Sequence, residues 1–236
     1  MATVVHVSPH PDDEALGAPA TLLLLRRAGW TVVHALLGLG RPAEHERRRR
    51  EATDAARRGG FELVLPDAPF AISSTDDLDA VELPITEWLR ILVQERAPTI
   101  VVSPSPHDVH PGHEVAARAT RAAIASLSQS TAWWTWGLWA DLPHPSVYVP
   151  FGDDVLAEAQ GVLAAYAGEL ARNDYSRLLE ARAVANAVLG SERVFGFGSG
   201  RASTQPYAEL LTELVCSAGE WRPGPARVFD PADPAR

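Results

Sequence analysis

The sequence predicts an α/β fold, a mostly parallel sheet flanked by helices. Two observations carry that reading. Short β-branched runs alternate with helical stretches through the first half of the chain. Histidine- and aspartate-rich segments also follow two of the strand-like runs directly, where an open α/β sheet binds its ligands. With 236 residues, 46% of them apolar, the chain can bury one sizeable core. The expected organisation is a single domain over residues 1–220, then an irregular Pro-rich tail over 221–236.

Taken in order, residues 3–8 form a β-branched run read as a strand, and 14–29 carry helical spacing closed by Gly29. A second strand over 31–37 precedes a helix over 44–58, stopped by Gly59-Gly60, and a third strand over 61–65 follows. Residues 78–96 make a long helix ended by Ala97-Pro98, residues 99–103 a fourth strand, and 112–126 the next helix. Two further strands are expected over 132–139 and 146–149, joined by a turn containing Pro143 and Pro145. Helices over 155–171 and 175–189, a Gly-rich loop and a last helix near 207–215 complete the reading.

Composition excludes several functions. With 21 Lys and Arg against 30 Asp and Glu, the formal charge is −9, so no nucleic-acid or anionic-membrane partner is expected. Cys216 alone supports neither a disulfide framework nor a cysteine metal site. No apolar run spans a bilayer and no leader is evident at the start, so a cytoplasmic protein is expected. Self-association into a homo-oligomer is left open.

The chemistry concentrates in two segments, Ser8-Pro9-His10-Pro11-Asp12-Asp13-Glu14 after strand one and Ser103 through Glu114 after strand four. With a strand order of 3-2-1-4-5, strands one and four are neighbours and both segments face one crevice. His10 and Asp13, three apart on a proline-stiffened loop, can converge on one divalent cation, and His113 fits as a third ligand, leaving a position for water. Acids at a helix start also serve as caps. Capping alone leaves His10 and the second histidine cluster unexplained.

Pro9-His10-Pro11-Asp12-Asp13-Glu14 together with His110-Pro111-Gly112-His113 resembles the LmbE-like, or PIG-L, family of zinc-dependent N-acetylglucosaminyl deacetylases. Arg48 through Glu51 is similar to that family's RxxE helix start, and Tyr207-Ala208-Glu209 to its late YAE element. The stretch from Trp139 to Tyr166 resembles the family's tryptophan-to-tyrosine segment. The resemblance implies a Rossmann-like fold, one zinc ion per chain (with other divalent metals admissible), and hydrolysis of an acetamide on an amino sugar. It implies His10, Asp13 and His113 as ligands and Asp12 as general base. His110 would polarise the carbonyl or protonate the leaving amine. Arg48 is implied to reach a sugar or phosphate oxygen. Asp108 is counted with Arg48 on the substrate side, or, with Glu114, as a group orienting His110.

Two departures stand out. The family's aspartate in HPDH is Gly112 here, and its threonine-aspartate-glycine after strand two is Gly38-Leu39-Gly40. Elsewhere bland readings prevail. Most of Arg47 to Arg50 reads as a solvated, ion-paired helix face, and His107 as a solvent-exposed residue. His144 is weighed as a residue at the mouth of the site. His6 and His34 read as buried neutral residues. Trp134 and Trp136 share one strand face and Trp133 and Trp139 the other, which favours core filling over sugar stacking. Gly196, Gly198 and Gly200 read as a flexible loop near the pocket. The expected function is zinc-dependent N-deacetylation. A non-haem iron(II) oxygenase using the same two histidines and one carboxylate, and a non-catalytic sugar-binding module, are the alternatives.

Overall fold

A computed structural model describes residues 2–72 and 76–233. β1 (Thr3–Ser8) leads through α1 (Asp13–Leu16) and α2 (Pro19–Arg27) into β2 (Thr31–Leu36), then α3 (His45–Gly59) and β3 (Glu62–Val64). α4 (Leu78–Arg96), β4 (Ile100–Pro104), α5 (Pro111–Ala125) and β5 (Thr131–Trp136) follow. The remainder is β6 (Val147–Phe151), α6 (Asp153–Leu163), α7 (Ala167–Leu170), α8 (Tyr175–Phe195), β7 (Tyr207–Ser217), β8 (Glu220–Pro223) and β9 (Arg227–Val228). Among the described residues no helix is long and apolar enough to cross a membrane.

The strands form one sheet in the order β3-β2-β1-β4-β5-β7-β6-β9, with β8 beside β7. β3 through β5 are parallel, as the alternating pattern requires, and β7 runs antiparallel to β5 and β6. β1 and β4 are buried almost throughout, which is why they read as continuous apolar runs. Val4, Val102, Trp134 and Trp136 pack under α2, α3, α6 and α8. Val5, Val101 and Trp133 pack under α4 and α5 on the other face. The three tryptophans of β5 are thus core residues, as expected.

Three expectations change. Residues 14–29 are two helices, because Pro19 at the start of α2 has no N–H to continue a ladder and restrains Ala18 before it. Residues 207–215 are a strand, not a helix. Their leucines also fit helical spacing, but slots between β5 and β6 pair the backbone on both edges, and Ala208 to Leu211 are buried in sequence. Within the segment read as an irregular tail, β8 pairs with β7, β9 pairs with β6, and Phe229 joins the core.

Candidate active site

The strand order reverses between β1 and β4, and two loops meet at their carboxyl ends. The first turns into α1 through Asp12, whose φ of 97° puts a non-glycine residue in the left-handed region, at a cost on the order of 1–3 kcal/mol. Asp13 Oδ2 fastens the turn by accepting the His10 N–H at 2.7 Å. Capping does not explain these acids, since α1 has no side-chain cap bond and Asp13 and Glu14 are buried inside it.

In the second loop the Ser105 N–H donates to the Trp136 carbonyl and the Asp108 N–H to the Ser105 carbonyl. His110 caps α5, its Nδ1 accepting the Gly112 N–H at 3.2 Å. Asp108, expected beside the substrate or His110, lies fully buried behind His113 instead. It accepts the Leu138 and Trp139 N–H groups at 3.0 and 3.1 Å and faces His113 Nδ1 at 3.1 Å.

Asp13 ties the loops together, with Oδ2 3.4 Å from His10 Nδ1 and Oδ1 3.2 Å from His113 Nε2. The proton inventory shows what belongs between them. His10 Nε2 meets the Ile72 carbonyl at 3.4 Å; a carbonyl only accepts, so Nε2 carries the hydrogen and Nδ1 presents a lone pair. His113 gives its Nδ1 hydrogen to Asp108, which leaves Nε2 to face Asp13. Two ring nitrogens beside the two oxygens of one carboxylate are satisfied by a proton or a cation. Burial disfavours charge on His113, yet Asp13 and Asp108 outweigh it and lift its pKa to about 9. Asp13, despite burial, is held well below the usual carboxylate range by His113 and His10. A divalent cation would displace the His113 proton. His10, Asp13 and His113, the set expected from the sequence, are residues that could hold a divalent cation. His110 stands close as well: one nitrogen from each of the three histidines lies within 4.8 Å of the others.

The pocket around this cluster has a volume of about 130 Å³, and Asp12, Arg48, Glu169, Arg172 and Trp139 form much of its wall. Burial, then the charges of Asp13, Glu169 and Glu14, push the Asp12 pKa well above the usual range, with Arg48 opposing. His110 is lowered to about 4 by burial and by His10 and His113. With Nδ1 accepting the Gly112 amide, the ring hydrogen of the neutral form sits on Nε2. Asp108, expected as a group that could orient His110, faces His113 instead, and position 112 carries no carboxylate.

Arg48 reaches the pocket as expected, but its Nη2 donates to Glu169 Oε1 at 2.5 Å. Glu169 also holds Arg172 at 2.8 Å, so one buried acid sets both cations of the rim. Sequence reading missed Glu169, because 155–171 reads as one helix, whereas α7 starts anew after a break at residues 164–166. The other arginines of α3 pair as predicted, Arg47 with Glu51 and Arg50 with Glu46. Trp139 lies beyond β5, half exposed, its ring 6.4 Å from that of His110. Glu209 of the YAE element lies away from the pocket wall, accepting the Ala20 and Thr21 N–H groups at the start of α2. His107 is exposed, and His144 lines a separate groove rather than this pocket.

Both departures border the same residue, Ile72. A Cβ on Gly112 would come within 2.8 Å of the Ile72 carbonyl oxygen and 2.9 Å of His10 Cε1. A Cβ on Gly38 would come within 2.9 Å of Ile72 Cγ1. The two glycines make room for Ile72, whose carbonyl holds His10.

The chain is similar in fold to several solved structures. A conserved protein of Thermus thermophilus is 21% identical, with a TM-score of 0.67 over 89% of this chain and 94% of that one. The A40926 pseudoaglycone deacetylase Dbv21 is 19% identical, with a TM-score of 0.71 over 91% and 97%. The 4-carboxy-2-hydroxymuconate hydratase GalB of Pseudomonas putida is 19% identical, with a TM-score of 0.68 over 90% and 96%. No curated protein matches the chain. The family described as PIG-L, GlcNAc-PI de-N-acetylase, matches residues 5–124, half of the chain, and that span contains both loops of the cluster. The chain belongs to the PIG-L family.

Proposed function

We propose that this protein is a zinc-dependent hydrolase that removes the acetyl group from an N-acetylated amino sugar or its conjugate. The observation that carries the reading is the approach of His10 Nδ1 and His113 Nε2 to the two oxygens of Asp13, in the pocket whose wall Asp12 shares. Bound there, zinc would supply a Lewis acid and a water of lowered pKa. Asp12, neighbour to a ligand in the chain, accepts the nucleophile's proton, and its raised pKa strengthens it as a base. His110, neutral and donating from Nε2, stabilises the negative charge that develops on the acetamide oxygen. Proton return to the departing amine falls to Asp12, which holds the proton it has taken from the nucleophile. Arg48 and Arg172, fixed by Glu169, orient hydroxyl or anionic groups of the conjugate, and Trp139 offers a face for a sugar ring.

The test is acetate and free-amine release from a panel of N-acetylated amino-sugar glycosides, read together with metal content. Zinc with stoichiometric acetate is the expected result. The hydratase among the similar folds makes the chemistry worth separating: water addition to an unsaturated acid without acetate would overturn the proposal, as would iron with oxygen uptake. An Asp12→Ala variant should keep its zinc and lose about 10²- to 10⁴-fold in turnover. Undiminished turnover would remove Asp12 as the base, and unchanged sugar binding with no turnover in the parent protein would favour a binding module.

A further inference from the structure

α8 is apolar on both sides. Its inner face, with Tyr175, Leu179, Ala183 and Val194, packs into the molecule. Its outer face carries Val184 at 43%, Val188 at 72% and Leu189 at 53% exposure, with Ala181 and Ala185 exposed between them. Just past its end Phe197 is 97% exposed, between Gly196 and Gly198, both in left-handed backbone. A helix with apolar residues on both faces is expected between two packed bodies, and here only one is present within the chain.

We propose that the outer face of α8 pairs antiparallel with α8 of a second copy of this chain, about a two-fold axis passing between Val184 and Ala185. The exposed stripe runs 177, 181, 184, 188, steps of four, three and four that keep residues on one side of a helix. The axis falls beside the middle of a 21-residue helix, so the two helices overlap along their full length. Charge decides the register. With this axis Val184 meets the partner's Ala185, Ala181 meets the partner's Val188, and Arg177 meets the partner's Glu192. Each ion pair occurs twice, as a self-complementary two-fold interface requires. Among the described residues the Arg177 guanidinium has no hydrogen bond or ion pair, and a partner carboxylate supplies one. The small Ala181 and Ala185 let the two helix backbones approach closely. A parallel pairing would set Arg177 near the partner's Arg177 and Glu192 near the partner's Glu192, so like charges oppose it.

The same arrangement gives Phe197 a destination. It carries that ring beyond the start of the partner helix, toward a shallow, open depression lined by Arg172, Asn173 and Asp174. Arg172 also lines the candidate active-site pocket. The second copy therefore contributes an aromatic residue to the rim of the site, where a guanidinium can lie over its face. The pairing stands on exposure, spacing and charge, and does not depend on the reaction proposed for the pocket.

The test is the mass in solution of the full chain at micromolar concentration, by light scattering or sedimentation. The expected species is a dimer. Val188→Glu should give a monomer with an unchanged thermal melt, since the position is exposed. Arg177→Glu and Glu192→Arg should each weaken the dimer about tenfold or more, and the double variant should restore it, an outcome that loss of folding cannot mimic. A monomeric parent protein, a dimer indifferent to Val188→Glu, or a double variant no better than the single ones would each overturn the proposal.

Discussion

Asp108 never touches the pocket, yet the ligand set depends on it. It takes the His113 Nδ1 hydrogen and is itself fixed by two backbone amides, so it decides which nitrogen His113 offers. Asp108→Asn should lower zinc affinity about 10- to 100-fold, measured by competition with a chelator, while leaving Asp12 in place. Equal affinity would show that His113 needs no such partner. His6 makes a prediction of another kind. It is fully buried, accepts the Trp136 Nε1 hydrogen on Nε2 at 3.1 Å and shares its Nδ1 with Ser8 Oγ. Burial, with His34 beside it, lowers its pKa from 6.5 to about 3. The unfolded chain therefore binds this proton at pH values where the folded chain does not. The associated stability is complete above pH 6.5 and is lost as the pH falls towards 3, amounting to about 2 kcal/mol by pH 5. Urea unfolding at pH 7 and pH 5 measures it, and His6→Gln should reduce the difference. No such reduction would place the acid sensitivity elsewhere.

At the level of elements, the two glycines that break the family pattern act as a pair. Gly112 opens α5 and Gly38 follows β2, and Ile72 sits against both, its carbonyl on His10. Restoring the acid with Gly112→Asp should not restore a more typical site. The new Cβ meets backbone and the His10 ring, so a loss of about 1–3 kcal/mol in stability and weaker zinc binding are expected together. Thermal melts and metal titration check both, and a stable, fully loaded variant would show that Ile72 yields easily. Sequence and structure divide along the same line. The first-motif loop and the order of β1 and β4 were legible, because β-branched runs followed by His-Pro-Asp-Asp leave few alternatives. Ile72 was not legible, because nothing local marks a residue whose partners lie 34 and 40 positions away. Residues 207–215 misled for a similar reason: Leu210, Leu211, Leu214 and Val215 fit a helix locally, and the slot between two strands decides otherwise.

Across the molecule, the parallel half of the sheet followed from alternation and the two loops at its reversal point from their histidines and aspartates, and the antiparallel half did not follow. Glu169 and Trp139 reach the pocket from the second half, so the histidine and aspartate cluster could be read from sequence better than the rest of the pocket wall. The order of strands also bears on how the chain is made. β6 has two neighbours, β7 and β9, and both come later in the sequence; β5 waits for the same β7 to cover its outer edge. While the ribosome is still working on residues 196–217, a nascent chain that already holds His10, Asp13, His110 and His113 carries an open β5 edge and an unpaired β6. Those edges make the interval before β7 arrives the period of greatest exposure to misassembly.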